Sequence, residues 1–350
     1  MARMNTRTDQ SKTPLPRIRS SRAVTMAAVG RIAGVSQVTV SRALSDPSKV
    51  SPDTLRRIHD AIEVTGFVPN ALAGALASRK SKLISALVPA LTNIVYSSML
   101  KSFSARLRSE GYEILLSETG FDPADEERVI ATHLSRRPDA VLLTGIHHSA
   151  HARKMLLGAE IPVVEVWDIT DTPIDLCVGF SHAATARAVA EYAVERGYMK
   201  AGTISAGDER AHRRKTAFVD RFEELTGSSV AQYDHGSLAS LGQGRKGLAH
   251  LLDNYDLRNG LIFCSSDLLA QGVLIEAHAR GLTVPDDIAV IGFGDQEAAA
   301  ELEPSLTSVR VDRTTLGLTA AEAVLARLEG KDAPPRSTDI GFEIITRDSA

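Results

Sequence analysis

Residues 23–46 read AVTMAAVGRIAGVSQVTVSRALSD, and this stretch predicts two short helices separated by a tight turn. Thr25 and Ser36 are residue types that cap the first turn of a helix, and Gly34 suits the turn between the two helices. Two such helices are typical of a helix-turn-helix, although any helical hairpin shares the pattern. Apolar spacing predicts the inward residues as Val29, Ile32 and Ala33 in the first helix, and Val40, Ala43 and Leu44 in the second.

The next residues predict a third helix and then a change of structure. Ser51 and Pro52 open this helix, with proline at its first position. Residues 66–70 (GFVPN) end it and begin a new segment, 71–78, that is rich in small side chains. The predicted inward residues of the third helix are Leu55, Ile58 and Ile62.

An ordered series of short motifs runs through these helices. It consists of Val24-Thr25-Met26, Ala33-Gly34-Val35-Ser36, Thr39-Val40-Ser41-Arg42, Val50-Ser51, Gly66-Phe67-Val68-Pro69-Asn70 and Leu76. With these motifs the sequence resembles the LacI/GalR family of bacterial repressors, and the resemblance extends over the whole chain. It implies an N-terminal all-α helix-turn-helix head with a hinge helix. A two-lobed, periplasmic-binding-protein-like α/β body of parallel sheets flanked by helices would follow.

Two positions of the head depart from the family pattern. Gly30 stands where the family usually has alanine, in Ala28-Val29-Gly30 in place of Asp-Val-Ala. Glycine is expected to weaken the first helix by about 1 kcal/mol relative to alanine. Gly74 stands where the hinge often carries arginine, which removes a charge near DNA phosphates.

The resemblance implies that the second helix enters the major groove of DNA. Gln37, Val38 and Arg42 would face base edges, and a guanidinium suits bidentate pairing with guanine O6 and N7. Residues 70–78 resemble the hinge helix, in which Leu76 would enter the minor groove and kink the DNA. The small side chains around Leu76 favour this role over a packed core leucine. Including side chains suited to phosphates, the predicted DNA contacts are Thr25, Ser36, Gln37, Val38, Thr39, Ser41, Arg42, Asn70 and Leu76.

Charge is divided unevenly along the chain. Residues 1–80 hold 13 Lys and Arg against 5 Asp and Glu, whereas the remaining residues hold 27 against 38. A basic head on an acidic body is expected when only one end of a protein meets a polyanion such as DNA. Residues 1–22 alone are expected to form a disordered basic tail.

Length and composition argue against several classes of protein. A chain of 350 residues fits one small and one or two medium domains. Cys177 and Cys264 show no paired spacing, which fits a reducing compartment and argues against a disulfide framework or a thiolate metal site. No apolar run approaches the ~20 residues of a membrane span, and the basic N-terminus lacks the apolar core of a signal peptide. The protein is therefore expected to be cytoplasmic, with no membrane partner.

From Leu83 onward, apolar strands alternate with helical stretches. This alternation indicates parallel sheets in a doubly wound α/β fold, with too many units for one standard sheet. The predicted strands are 83–88, 113–116, 140–143, 161–166, 201–204, 261–264 and 288–292, and the predicted helices lie near 95–110, 124–136, 150–158, 182–196, 213–225, 243–254 and 267–280.

Two lobes are therefore expected, with the chain crossing between them near 176–181, 307–312 and 332–340. A ligand would bind in the cleft between the lobes, outside the carboxyl ends of the strands. The expected domains are a head at 23–69, a hinge helix and linker at 70–82, and an effector-binding and dimerisation domain at 83–345. Within this domain the N-lobe spans about 83–178 and 309–333, and the C-lobe about 179–308 and 334–345.

Two motifs offer alternatives to a regulator. Residues 242–247 (GQGRKG) satisfy the glycine spacing of a dinucleotide site, but no strand leads directly into them as such a site requires. Three histidines between 147 and 151 suggest either a metal site or a polar loop at the cleft, and no carboxylate or cysteine joins them at motif spacing. No catalytic residue, cofactor or metal is predicted. The rival functions are a sugar-binding module that acts without DNA and a sugar-handling enzyme.

Several motifs of the body point to the type of effector. They are 89–93 (PALTN), 161–165 (IPVVE), 178–180 (VGF), 208–210 (DER) and 341–342 (GF). Within the family these motifs resemble the gluconate-repressor branch. This implies a small sugar acid as effector, such as gluconate, a keto-gluconate or a phosphorylated relative.

The run 210–215 (RAHRRK) supplies cations for such a ligand. Arg210 and Arg214 lie where the family places cationic ligand contacts, and a forked guanidinium holds a carboxylate in fixed orientation. A solvated helix face is the alternative for the run, and a structural role is the alternative for Tyr96, Trp167 and Asp295. The predicted effector contacts are Asn93, Tyr96, Glu165, Trp167, Arg210, Arg214, Asp267 and Asp295.

The resemblance also implies a mode of action. A homodimer would place its two heads on the half-sites of a near-palindromic, double-stranded operator. Effector binding would change the angle between the lobes and so move the two hinges. Residues 338–350 contain no heptad extension that would build a tetramer.

Overall fold

The computed structural model describes residues 24–69, 80–255, 257–331 and 335–350. The chain forms two compact units, Met1–Arg79 and Lys80–Ala350. The basic tail expected at 1–22 and the hinge helix expected at 70–78, with Asn70, Gly74 and Leu76, lie outside the described residues.

The head has the helix-turn-helix order that the sequence predicts. Its elements are α1 (Met26–Ala33), α2 (Gln37–Ser45), a 3-10 helix (Pro47–Lys49) and α3 (Pro52–Thr65). The side chains of Thr25, Ser36 and Ser51 each accept a hydrogen bond from a backbone N–H in the first turn of α1, α2 and α3, respectively. Gly34 ends α1 with φ of 69°, a left-handed conformation that favours glycine, and this conformation sets the turn into α2.

A small apolar core joins the three head helices. The prediction of an inward side chain is wrong for Ile32, which is 56% exposed. Successive helical residues are about 100° apart, so Ile32 falls on the solvent side of the stripe formed by Val29 and Ala33. The buried residues of this core are Val29, Ala33, Val40, Ala43, Ile58, Ala61 and Phe67.

Gly30 has a packing role in addition to its effect on helix propensity. It is buried, and a Cβ added at this position would lie 2.7 Å from the carbonyl oxygen of Val35. The missing side chain therefore lets the turn close directly onto α1.

The N-lobe is built on a six-stranded parallel sheet. Its strands are β1 (Leu83–Val88), β2 (Glu113–Glu118), β3 (Ala140–Thr144), β4 (Val163–Val166), β5 (Leu176–Gly179) and β11 (Ser337–Asp339), and its helices are α4 (Ile94–Arg108), α5 (Pro123–Leu134), α6 (Ala150–Gly158) and α12 (Arg313–Glu329). The strand order is β11-β5-β4-β3-β1-β2. Helix α12 packs against α4 and against β4 and β5, although it lies far from them in sequence.

The C-lobe repeats this architecture. Its strands are β6 (Ala201–Ser205), β7 (Ala231–Asp234), β8 (Gly260–Cys264), β9 (Ile288–Phe293), β10 (Thr307–Arg310) and β12 (Glu343–Ile345), and its helices are α7 (His182–Glu195), α8 (Glu209–Thr226), α9 (Leu241–Tyr255), α10 (Asp267–Ala279) and α11 (Ala298–Glu301). The strand order is β12-β10-β9-β8-β6-β7, and β12 runs antiparallel to β10. In both sheets, the carboxyl ends of the parallel strands face the cleft between the lobes.

The end of the chain differs from the sequence expectation in two respects. Residues 334–345 are expected in the C-lobe, but β11 pairs with β5 in the N-lobe sheet, with Thr338 opposite Val178. The body also does not stop at 345, because the Ser349 carbonyl accepts the N–H of Val290 and both Ser349 and Ala350 are buried. These pairings join residues more than 50 positions apart, so no local sequence pattern predicts them.

The glycine-rich motif at 242–247 lies inside α9 and serves helix packing. A Cβ at Gly244 would lie 2.1 Å from the carbonyl oxygen of Leu269 in α10, and a Cβ at Gly272 would lie 2.2 Å from that of Leu241. The two glycines therefore allow the backbones of α9 and α10 to touch. Their spacing does not indicate a phosphate-binding loop, because the motif does not follow a strand.

The two cysteines are buried and unpaired. Burial raises the pKa of the Cys177 thiol to about 12 and also raises that of Cys264, so both remain unreactive thiols near neutral pH. Within the described ranges, no helix is both long enough and apolar enough to cross a bilayer.

Candidate functional site

The outer face of α2 carries Gln37, Val38 and Arg42, which the sequence assigns to base edges, and Ser41, which it assigns to a phosphate. Gln37, Val38, Ser41 and Arg42 are all exposed, and apolar Val38 exposes 66% of its surface. Among the described residues, Arg42 has no carboxylate partner. An exposed valine beside an unpaired guanidinium and two polar side chains offers a surface for apolar and hydrogen-bonded contacts in a groove.

The caps of α1 and α2 border this face. Ser36 Oγ accepts the N–H of Thr39 at 3.2 Å and lies 2.9 Å from Thr39 Oγ1, and Thr25 Oγ1 accepts the N–H of Ala28 at 3.3 Å. Helix N-termini attract anions through their unpaired N–H groups and the helix dipole. The caps therefore lie at positions suited to phosphates.

A cavity of about 410 Å³ lies between the two lobes of the body. This volume is in the usual range for a small-molecule site. The first residues or caps of α4, α7, α8 and α10 border it, so several helix N-termini meet around one space. Its walls are formed by Ala90, Thr92, Asn93, Ile94, Val95, Tyr96, Phe121, Trp167, His182, Ala206, Asp208, Arg210, Arg214, Leu238, Ala239, Ser265, Ser266, Leu268, Phe293, Gly294 and Gln296.

Arg214 is a buried cation in the wall of this cavity. Its Nη1 donates to His182 Nδ1 at 2.8 Å and its Nη2 donates to the carbonyl oxygen of Ser265 at 3.0 Å. Its guanidinium carbon lies 4.0 Å from the centroid of the Phe293 ring. No carboxylate among the described residues forms an ion pair with it, and burial lowers the pKa of Arg214 to about 10. The charge of Asp208, which also lines the cavity, offsets only part of the cost of burying this cation, so an anion in the cavity would stabilise it further.

His182 links Arg214 to the opposite lobe. Because its Nδ1 accepts from Arg214, its Nε2 carries the proton and donates to the carbonyl oxygen of Trp167 at 2.9 Å. Burial, together with the charges of Arg214 and Arg210, lowers the pKa of His182 well below its ordinary value. The imidazole is therefore neutral near pH 7 and serves as an acceptor for the guanidinium.

The other sequence-predicted residues of the wall belong to the N-lobe or to the start of α8. Arg210 lies 5.8 Å from the ring centroid of Tyr96, and no carboxylate among the described residues pairs with it. The indole of Trp167 meets the Tyr96 ring edge to face, with centroids 5.9 Å apart, and Asn93 Oδ1 caps α4 by accepting the N–H of Val95 at 3.0 Å. The structure thus brings Asn93, Tyr96, Trp167, Arg210 and Arg214 together around one cavity.

Glu165 does not line this cavity, in contrast to the prediction. It is fully buried, accepts the N–H of Ile174 at 2.6 Å, and lies 3.5 Å from His148 Nε2. Burial raises the pKa of Glu165. Burial lowers the pKa of His148, but the hydrogen bond and charge of Glu126 outweigh this and raise it overall. Glu165 and His148 therefore belong to a polar cluster inside the N-lobe.

Asp267 and Asp295 also lie outside the cavity wall. Asp267 is fully buried and accepts the hydroxyl of Ser308 at 2.5 Å and the N–H of Gln296 at 2.7 Å. Asp295 pairs with Arg310 at 2.6 Å and with Arg347 at 2.8 Å. Both carboxylates tie the end of β9 to neighbouring elements of the C-lobe, which is a structural role.

Asp267 gives an expected pH dependence of stability. Burial raises its pKa from 3.8 to about 6, so protonation stabilises the folded state, and this contribution is lost as pH rises through 6. Asparagine at this position would keep both contacts, with its amide donating to Ser308, and would not ionise. We expect the unfolding free energy of the wild type, relative to Asp267→Asn, to fall by roughly 2 kcal/mol between pH 4 and 7.

Urea unfolding of both proteins across this pH range measures the difference. The exposed Asp220→Asn variant on α8 is the control and should follow the wild type at every pH. If the curves for wild type and Asp267→Asn stay parallel, Asp267 does not titrate between these limits.

Sequence reasoning missed several residues of the cavity wall. The most important are His182, Ser265 and Phe293, which contact Arg214. Ser265 follows an apolar strand directly, so its position at a strand end was a usable signal. Nothing in the sequence indicates that His182 contacts a residue 32 positions away.

The three histidines between 147 and 151 do not share one site. His148 is held inside the N-lobe by Glu126 at 2.9 Å, whereas His147 is exposed and lies 3.4 Å from Glu209. Among the residues that the structure describes, no group of three or more His, Cys, Asp or Glu side chains is arranged to hold a metal ion.

Comparison with known proteins identifies the family. Residues 25–70 match the bacterial regulatory proteins of the lacI family, and residues 190–350 match the periplasmic binding protein-like domain. The HTH-type transcriptional regulator GntR of Pseudomonas aeruginosa is 35% identical to this chain, over 93% of this chain and 95% of its own length. The chain belongs to the LacI/GalR family of transcriptional regulators.

Solved structures of LacI/GalR members confirm the fold. A Lacl-family transcriptional regulator from Silicibacter pomeroyi superposes with a TM-score of 0.88 at 30% identity, covering 93% of this chain and 99% of its own. The lac repressor dimer bound to operator superposes with a TM-score of 0.80 at 21% identity, covering 94% and 99%, which shows the shared fold. The relatives are DNA-binding regulators, so the regulator interpretation is confirmed and the enzyme alternative is not supported.

Proposed function

We propose that this LacI/GalR member is a repressor that binds a near-palindromic operator as a homodimer and responds to a sugar-acid effector. One observation carries the choice of effector. Arg210 and Arg214 both line the cavity of about 410 Å³, and neither has a carboxylate partner among the described residues. The GntR-named relatives and the motifs of the gluconate-repressor branch make gluconate the first candidate.

The cavity offers distinct partners for each part of such a ligand. A carboxylate, or a phosphate on a related acid, would bind beside Arg210 and Arg214 and would offset the buried positive charge of Arg214, which Asp208 offsets only in part. Helix N-termini at Ser266 and Asn93 add donors for an anion or a hydroxyl. The rings of Tyr96 and Trp167 supply apolar faces for the carbon chain.

The head would read the operator through α2. In this proposal Arg42 pairs with a guanine, Val38 contacts a thymine methyl group, and Gln37 contacts a neighbouring base edge. Phosphate contacts from the caps and the start of α2 fix the register. They are assigned to Thr25, Ser36, Thr39 and Ser41, and the hinge would add Asn70 and Leu76.

A homodimer matches a near-palindromic operator, because two-fold symmetry places one head on each half-site. A dimeric operator-binding regulator of this kind acts in the cytoplasm, where we place it in this proposal.

Fluorescence anisotropy on a pool of palindromic operators, with and without gluconate, tests the proposal. We expect specific binding that weakens with rising salt, a dimer in sedimentation, and a change of operator affinity on adding gluconate. Specific binding that ignores gluconate and its phosphorylated relatives would reject the sugar-acid effector. Binding to every sequence alike would reject the sequence-specific head and favour a sugar-binding module.

A further inference from the structure

The first two turns of α8 present two different pairs of side chains. Arg210 and Arg214 line the cavity, whereas Glu209 and Arg213 reach toward the N-lobe. Each pair is four residues apart and so lies on one face of the helix. The two faces are offset by one residue, or about 100°. One rigid helix thus carries both the cavity cations and the contacts to the opposite lobe.

Arg213 forms a forked ion pair across the cleft with Asp168, which follows β4 in the N-lobe. Its Nη1 lies 3.1 Å from Asp168 Oδ1, and its Nη2 contacts Oδ2. The side chain of Asp168 is only 2% exposed and that of Arg213 is 29% exposed. Two parallel hydrogen bonds between charged groups fix both distance and orientation, so this contact sets the position of α8 against the N-lobe.

A second pair extends this contact. Arg213 Nε lies 2.6 Å from Glu209, and Glu209 lies 3.4 Å from Nε2 of His147, which follows β3 in the N-lobe. The chain of contacts therefore begins and ends in the N-lobe and passes through α8. Asp168 also packs against the crossing near 176–181, because a Cβ at Gly179 would lie 1.9 Å from its carbonyl oxygen and Cys177 Sγ lies 3.2 Å from that oxygen. The ion pairs run through α8 and therefore add a second connection between the lobes beside that crossing.

We infer that Asp168, Arg213, Glu209 and His147 form an ion-pair latch that holds the lobes together and positions Arg210 and Arg214 for the effector. Neither Asp168 nor Arg213 lines the effector cavity, so both are positioning residues. All four residues lie within one chain, and their contacts favour the arrangement of the lobes seen in this structure before any contact with a ligand is counted. The latch raises effector affinity because a site that is already ordered loses less conformational entropy when the effector binds.

Variants of Asp168 and Arg213 test the latch through gluconate affinity, measured by calorimetry. We expect Arg213→Met and Asp168→Asn each to weaken gluconate binding about tenfold. The double variant should be about as weak as either single one, because both remove the same interaction. Arg213→Lys should recover part of the gluconate affinity, since lysine keeps the positive charge but cannot form the two parallel hydrogen bonds to Asp168.

Arg221→Met is the matched control. Arg221 lies on the same helix, its side chain is also 29% exposed, and it pairs with Glu191 and Glu224 within the C-lobe. Its loss should leave gluconate affinity unchanged. Equal weakening by Arg221→Met and Arg213→Met, or additive losses in the double variant, would overturn the latch.

A distance measurement makes the test independent of the effector. Spin labels at Lys154→Cys in the N-lobe and Lys246→Cys in the C-lobe report the lobe separation, and the buried Cys177 and Cys264 resist labelling. We expect a narrow distance distribution in the parent protein and a broader or longer one with Arg213→Met. Identical distributions would refute the latch. The affinity test rests on the proposed function, because it uses gluconate as the probe. If gluconate does not bind the wild type, the sugar-acid effector is rejected, and the measured lobe distances alone test the latch.

Discussion

Arg42→Ala is expected to remove specific operator binding while the head stays folded. A bidentate arginine–guanine pair contributes about 1–3 kcal/mol of discrimination, and a dimer on a palindrome loses it at both half-sites. The affinity for the operator should therefore fall at least about 30-fold. The fold should persist, because the Arg42 side chain is exposed and contributes nothing to the core of the head.

Anisotropy titration on the operator and on a version with the guanine replaced measures this effect. The loss should be large on the operator and small on the replaced site, because the discrimination depends on that base. Arg56→Ala is the control, since Arg56 is an exposed arginine of α3 that pairs with Asp53. If Arg42→Ala weakens binding equally on every sequence and lowers the salt dependence, Arg42 contacts a phosphate and does not read a base.

The head could be predicted almost completely from local sequence. Its caps, its glycine turn and its apolar spacing are short-range signals, and the structure has the helices where these signals place them. The exception was Ile32, which lies at the margin of the apolar face. The packing role of Gly30 was not predictable, because it depends on a carbonyl group that only the folded turn brings near.

The body was predicted well where its strands are long and apolar, and poorly elsewhere. The strands β5, β7, β10, β11 and β12 have only three or four residues each, which is too short for a clear strand pattern, and β11 pairs with a strand about 160 positions away. Helix α12 was not predicted, although Ala, Leu, Glu and Arg, which favour helices, make up most of its sequence; Thr314, Thr315 and Gly317 lower the propensity of its first turns only. Gly317 is needed for packing, since a Cβ there would lie 2.4 Å from the carbonyl oxygen of Met99 in α4. The close approach at Gly317 depends on α4, which lies far from α12 in sequence.

For the cavity, sequence reasoning found the cations and aromatic rings but chose the wrong carboxylates. Glu165, Asp267 and Asp295 stand near strand ends, as ligand contacts often do. Each of these three carboxylates is held by partners inside its own lobe and therefore does not line the cavity. Ser308 lies 41 residues from Asp267 in sequence, and Arg310 lies 15 residues from Asp295. Because such partners come from the fold, the spacing of residues in the sequence cannot distinguish an internal carboxylate from one that meets a ligand.

Arg214→Met is expected to abolish the response to gluconate. The variant keeps much of the length of the side chain and its contact with Phe293 but removes the buried charge. Truncating one partner of a buried, hydrogen-bonded charge pair costs several kcal/mol, so we expect gluconate affinity to fall roughly 100-fold, or about 2.7 kcal/mol. Operator binding without gluconate should remain close to that of the wild type, because the head does not contain the mutation.

The stability of Arg214→Met reflects two opposing effects. Removing a buried cation that has no carboxylate partner relieves its desolvation cost. However, His182 Nδ1 and the carbonyl oxygen of Ser265 each lose a donor, which costs free energy for buried acceptors. We expect these effects largely to offset each other, so that circular dichroism and thermal melting of the variant stay near those of the wild type.

Sorbitol, a neutral polyol with the same number of carbons as gluconate, isolates the role of charge. The wild type should prefer gluconate strongly over sorbitol, and Arg214→Met should lose this preference while binding sorbitol about as weakly as before. Arg221→Met, which removes an arginine from the same helix outside the cavity, should retain it. If Arg214→Met still prefers gluconate to the same degree, the cation that selects the anion is not Arg214. Arg210 is the other arginine that lines the cavity without a carboxylate partner in the described part of the chain. If only Arg210→Met loses the preference for gluconate over sorbitol, the anion binds Arg210 at the start of α8 and not Arg214.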